Sequence, residues 1–406
     1  MKFTTTGIPE SFSPPPKPKH YFLSQPHQPF FFFGMVWAIV SMVLFTLSHK
    51  GTLSLSIAEN LFHLYTLSFI VLIQFFHGFL FTTFPRFCMS AAISKEQYGS
   101  IVWLYQIFGL LFFLGSVASE WTVLVAMVGM LAVQAMAYSL LLRAYRTGKS
   151  PQNSDPFWIL IAHSIGIGAH AVLVITFAAA VLGYSGNWVT AISPVVTHLF
   201  LVFLTFIAAQ RMIPFFSHSM EVRAPYFVAR VFALLVLKTG LSLAMLPLAE
   251  AAVSLLLGSY LLWEFVRWKL PLFRSSAILW VLYLALFWLP IGLIAGGLMQ
   301  LAEVYTDTSW LFGGTHLLVL GFITTVLIGF GTRVTLGHSG QTPHADTLTA
   351  TLFVWTQVVV LLRFGLSIDS AFTAAYPWLF DAAALGWIVL FAVWMVRYGR
   401  ILLFGR

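Results

Sequence analysis

The sequence predicts an all-α polytopic membrane protein of about twelve transmembrane helices, with both termini cytoplasmic. Three observations carry this. Of 406 residues, 59% are hydrophobic and only 8% are charged, whereas a soluble chain carries roughly a quarter charged residues. Apolar runs of about 20 residues, enough to cross about 30 Å of hydrocarbon, recur from end to end. The basic residues fall almost entirely on alternate loops. Because the runs are continuous rather than alternating in polarity, a transmembrane β-barrel is excluded.

Residues 1–28 include "SPPPKPKH" and lack an apolar core, so they read as a cytoplasmic Pro-rich tail rather than a cleaved signal. Residues 29–406 then form a single twelve-helix membrane domain. Its spans lie near 29–48, 61–84, 99–117, 121–143, 157–182, 189–210, 225–244, 246–266, 277–300, 310–332, 347–366 and 376–398. The division at Pro247 has little loop to support it. With the N-terminus on one side and spans alternating, eighteen Lys and Arg lie on that side. Only Lys50, Lys238 and Arg363 lie on the other. This positive-inside bias sets the orientation and favours an even number of spans. It also explains the net charge of +8 through anionic lipid, without nucleic acid.

Charges inside a bilayer are costly, so ionisable residues there are functional candidates. Glu250, Glu264 and Asp381 lie near helix ends, and no span carries a mid-membrane carboxylate pair. Histidine is the recurrent intramembrane polar residue. At about 1.5 Å per residue, His63 and His316 lie near the outer face and His170 in the outer half. His198 is close to mid-depth, and His77 and His163 are in the inner half. His27, His218 and His338 lie just outside spans on the cytoplasmic side; His20, His49 and His344 read as loop residues. Each imidazole alone reads as a core residue bonded to a neighbouring helix. Six together, with few acids, suit a soft or borderline metal such as copper or haem iron. Cys88 is the only cysteine, which excludes intrachain disulfides, Cys-ligated iron–sulfur clusters and covalent haem attachment.

Residues 63–70, "HLYTLSFI", and 316–323, "HLLVLGFI", agree at five of eight positions. Either this is chance between leucine-rich helices, or two facing histidines bracket a flat cofactor. Gly313, Gly314, Gly321, Gly329 and Gly331 make span 10 glycine-rich, either for close helix packing or to open a slot for a planar ring. Arg211 and Arg333 end spans 6 and 10, either as interfacial anchors or as guanidiniums for haem propionates. "GTRVTLGHSG" (331–340) reads as a helix stopping at glycine and turning back.

At this point the residues resemble a known family. "HLLVLGFITTVLIGFGTRVTLGHSG" is similar to the hallmark segment of the NnrS family, whose pattern ends T-R-V-x-L-G-H-T/S-G. "QRMIPFF", "FLFTTFPRF" and "QPHQPF" resemble its R-V-I-P-F-F, F-L-L-T-A-V-P-N-W and N-terminal H-P-F segments. The resemblance implies a haem- and copper-containing protein of the bacterial cytoplasmic membrane, tied to nitric oxide metabolism or nitrosative-stress tolerance. It implies metal ligands among His63, His316 and His338, with Arg211 and Arg333 at anionic groups. His170 fits the family's histidine in span 5. His77, His163, His198, His27 and Tyr65 are secondary candidates. Where the family's span 2 opens W-H-x-H-E, this chain reads "FHLYT". Tyr65 and Thr66 replace the second histidine and the glutamate, which puts the copper site in doubt and makes Tyr65 a ligand or hydrogen-bond donor.

The expected function is therefore a non-covalent, b-type haem protein that meets nitric oxide or its metal adducts. The alternative is a secondary transporter for copper or another metal, though no six-plus-six repeat supports it. A membrane redox enzyme acting on nitric oxide ranks third. The histidine pairs of haem–copper oxidases are absent, no acidic proton-delivery line is visible, and no catalytic residue stands out.

Overall fold

The computed structural model describes residues 21–184, 186, 188–217, 223–272 and 274–405. Among these, helices and turns account for the whole architecture, with no strand. In chain order the helices are α1 His27–His49, α2 Glu59–Cys88, α3 Lys95–Ala118, α4 Glu120–Thr147, α5 Ser154–Val181 and α6 Trp188–Phe216. They continue with α7 Phe227–Leu243, α8 Pro247–Arg267, α9 Ala277–Thr306, α10 Gly313–His338, α11 Thr347–Phe372 and α12 Trp378–Phe404. Among the described residues, eleven are long and apolar enough to cross a membrane. The remaining one, α7, has 17 residues and is about 25 Å long.

Local chemistry sets the boundaries. Ser94 and Gln97 form a capping box at the start of α3. Asp346 caps α11, accepting from the Thr349 amide at 2.8 Å. Pro247 lacks an N–H and so can begin α8 but not continue α7. The α7–α8 hairpin turns in three residues, with Met245 at φ 52°.

Two boundaries differ from expectation in ways that matter. Helix α1 begins at His27, so that residue is helical and buried rather than in the tail just outside the span. Helix α10 does not stop at Gly331 but runs through Arg333 to His338, and the chain reverses at Gly340, φ +79°. A single glycine in a helix costs only about 1 kcal/mol, which packing of this buried helix outweighs.

At the centre stand α2, α6 and α10. In their most apolar stretches 89%, 67% and 78% of residues are buried, against 33–56% in the other spans. Each central helix contains a π-helical turn: Thr66–Leu72, Val195–Val202 and Leu317–Thr324. Such turns add a residue to the helical ladder and are frequent at functional sites. In α10 the threonine hydroxyls partly repair the disrupted ladder, Thr324 donating to the Val319 carbonyl at 2.9 Å. The Tyr21 ring lies against Gly405, so the two ends of the described chain share one face.

Candidate functional site

The histidines of the central helices and their neighbours fall into three groups. Nearest one end of the bundle, His63 of α2 faces His316 of α10, ring centroids 6.2 Å apart and planes tilted by 30°. The short echo between the two helices therefore places both imidazoles at one level. Phe45 of α1 packs on His63 at 4.3 Å. His316 Nδ1 lies 3.0 Å from the Phe312 carbonyl. A carbonyl only accepts, so Nδ1 carries the proton and Nε2 keeps its lone pair. Arg363 of α11 lies within electrostatic reach of both rings. It is held by donation to Ser367 at 2.8 Å and to the Leu311 carbonyl at 2.5 Å.

The second group occupies the interior of α2, α3, α4 and α5. Tyr65 Oη and His170 Nε2 are 2.7 Å apart, and His170 Nδ1 is 2.7 Å from Gln134 Oε1. The amide oxygen accepts from Nδ1, so His170 Nε2 must accept from the Tyr65 hydroxyl. Both nitrogens of His170 are engaged, and Tyr65 is a donor. Lower in the same bundle, His77 Nε2 and His163 Nε2 meet at 3.0 Å. The seven-residue spacing of His163 and His170 does put both on the inward face of α5, each at most 1% exposed.

The third group lies at the opposite end, near the chain termini. His27 and His338 have ring centroids 4.8 Å apart, with Arg86 in electrostatic reach of both. The extra residue in "HQPF" does not keep His27 from this contact. His198 is buried in the α6 π-turn near Lys238 and joins none of these pairs. His218 lies outside the described residues.

Arg211, Arg333 and the glycines of α10 join none of these groups. Arg211 bonds Asp155 at 2.9 Å and lies over the Phe87 ring at 4.4 Å, so its charge already has a carboxylate. Arg333 has no carboxylate partner among the described residues and stacks over Phe216 at 4.0 Å. It is seventeen residues from His316, about 25 Å along the helix. Arg333 therefore lies well away from the His63–His316 level. Nor do the glycines of α10 leave a slot. A Cβ on Gly314 would lie 2.6 Å from Gly296 Cα, and Gly321 and Gly331 are covered by the Trp288 and Trp394 rings. They serve close helix packing.

Sequence reading missed Arg363 as a site residue, although a basic residue within an apolar run was the available signal. The buried Lys238–Glu250 ion pair at 2.5 Å was not legible either, because Glu250 reads as a helix-end residue and Lys238 only as a basic residue of the non-cytoplasmic side. Among the described residues, no three His, Cys, Asp or Glu side chains cluster as a ready metal site.

Comparison with known families decides the wider assignment. The sequence model described as NnrS protein matches residues 21–406. The chain belongs to the NnrS family. Membership of the NnrS family suggests a nitric-oxide-related membrane protein. No curated protein matches the chain closely enough to extend that assignment. For an NnrS member, the "GTRVTLGH" segment is the final two turns of a central helix, and His338 brings it against the start of α1.

Proposed function

We propose that this protein binds a non-covalent haem between His63 and His316 and acts in the bacterial cytoplasmic membrane in response to nitric oxide. The single observation that carries this reading is the 6.2 Å spacing of the two rings. Two imidazoles bound on opposite sides of one metal, at about 2.0 Å per bond, have ring centres about 6 Å apart. The donor chemistry fits as well. His316 donates Nδ1–H to a backbone carbonyl, the arrangement that orients a metal-ligating imidazole and leaves Nε2 free. Haem held this way would supply one-electron chemistry. Arg363, within electrostatic reach of both rings, would be the guanidinium nearest the carboxylates of a haem held there, beside the family candidates Arg333 and Arg211.

His27 and His338, with ring centroids 4.8 Å apart, would be the pair to hold any copper ion the protein binds. By the positive-inside rule, the face carrying both chain ends is cytoplasmic. An absorption spectrum and metal analysis of the detergent-purified protein test the reading. A Soret band that disappears in His63→Ala and His316→Ala is expected. A folded, colourless and metal-free protein would sink it and favour transport.

A further inference from the structure

We infer that α1–α3 and α9–α11 are two copies of one three-helix unit, and that each copy carries a tryptophan–glutamine clamp positioning the histidine of its central helix. This deepens the haem reading and, for the role of His63 and His316, rests on it.

The two clamps match bond for bond. In the first copy Trp37 Nε1 donates to Gln106 Oε1 at 2.7 Å, and Gln106 Nε2 donates to Gln74 Oε1 at 3.0 Å. Gln74 Nε2 then donates to the Ile70 carbonyl at 3.1 Å. In the second copy Trp288 Nε1 donates to Gln357 Oε1 at 2.7 Å, and Gln357 Nε2 donates to Thr325 Oγ1 over a longer 3.4 Å. The Thr325 hydroxyl then donates to the Leu320 carbonyl at 3.3 Å. An indole N–H can only donate, so it fixes which end of each glutamine amide faces it, and with that the direction of the chain. Both chains run from the first helix, through the third, to the central one.

The positions correspond by a single interval: 37 to 288, 106 to 357 and 74 to 325. A tryptophan anchored to a neighbouring helix would explain one such bond. It would not produce two three-bond chains in the same register. The indoles also border the turns they serve. Trp288 covers Gly321, and Trp37 and Ile70 both lie within 3.7 Å of where a Cβ on Gly109 would sit.

Both chains end inside a π-turn, Ile70 in Thr66–Leu72 and Leu320 in Leu317–Thr324. Such a turn holds one residue more than the α-turn it replaces. Reverting it would swing one side of the helix about 100° against the other. His63 and His316 stand before the turns, and Gln74 and Thr325 just after them. The turns therefore set which way the two imidazoles face. A side-chain donor to a carbonyl inside the turn favours the π form, because in the α form the backbone would make that bond itself. The histidines do not keep the register: His63 precedes Gln74 by eleven residues, and His316 precedes Thr325 by nine. What the copies share is the clamp.

Hydrogen–deuterium exchange of the full-length protein in detergent, read by mass spectrometry on peptides spanning 66–72 and 317–324, tests this. Thr325→Val and Gln357→Leu should speed exchange several-fold in 317–324 and leave 66–72 as it was. Gln74→Met and Gln106→Leu should do the reverse. Thr325→Ser keeps the hydroxyl and should keep the protection. Loosening of both turns alike, as general destabilisation gives, overturns the inference, as does unchanged exchange in folded, monodisperse variants. The low-spin haem spectrum of the same preparations reads the histidines. Variants that loosen a turn should shift or lose it, and an unchanged spectrum overturns the positioning role. A colourless wild type whose turns still respond selectively supports the clamps and refutes only the haem reading.

Discussion

The buried ion pair of Lys238 and Glu250 offers a sharp test of how this bundle tolerates charge. Nζ and Oε1 are 2.5 Å apart, each side chain is 9% exposed, and Gln300 donates to the other carboxylate oxygen at 2.7 Å. At an effective dielectric constant of about 20, the attraction is roughly 7 kcal/mol. Desolvation of both ions offsets most of this, so the pair is close to neutral against an apolar substitute. Removing one partner is different, because it strands a charge inside the membrane. Glu250→Gln or Lys238→Met alone should therefore cost about 3–5 kcal/mol. The double variant should recover most of the loss. Detergent-titrated unfolding, followed by the fluorescence of the 14 tryptophans, measures all four corners of the cycle. A single-variant cost below about 1 kcal/mol, or a double variant as damaged as the sum of its parts, would refute the premise that the pair is dry.

Two further predictions concern stability and site positioning. Gly314→Ala should cost about 1–3 kcal/mol and lower any haem content, because its Cβ would strike Gly296 backbone and shift His316 two residues on. Gly337→Ala, with nothing within 4 Å, should be neutral in the same thermal-melt and spectral assays. At the start of α11, burial raises the Asp346 carboxyl's pKa, but Thr349 and Arg397 outweigh it and hold the group below its ordinary value. A depressed folded value means stability that is present above the ordinary carboxylate range and lost as pH falls through it. The melting temperature should hold from pH 7 to about 5 and decline below about 4. Asp346→Ala should cost about 1 kcal/mol at neutral pH and flatten the acid limb; an acid limb of unchanged steepness in that variant refutes the assignment.

Much of the architecture was legible because membrane insertion is read locally. Apolar run length, the loop distribution of Lys and Arg, and Pro247 each act within a few residues. They predicted the helices, down to the hairpin between α7 and α8. The relative levels of His63 and His316, and of His77 and His163, along their helices followed too, since rise per residue is fixed. The echo of residues 63–70 in 316–323 even pointed to the pair that meets. Partnerships were not legible in the same way. Arg211 and Arg333 look alike in sequence, yet among the described residues only Arg211 of the two finds an acid, Asp155, 56 residues away.

The sequence by itself determined a polytopic helical membrane protein, the approximate number of its helices among the described residues, and its family. Hydrophobicity and charge act residue by residue against the bilayer, so no partner need be known. Only the tertiary structure decided that α2, α6 and α10 form the centre, and that each contains a π-turn. It also decided that Tyr65 commits to His170 from 105 residues away, and His77 to His163 from 86. Those choices depend on which helix faces pack together, and in a chain apolar on nearly every face, periodicity does not mark the inward one.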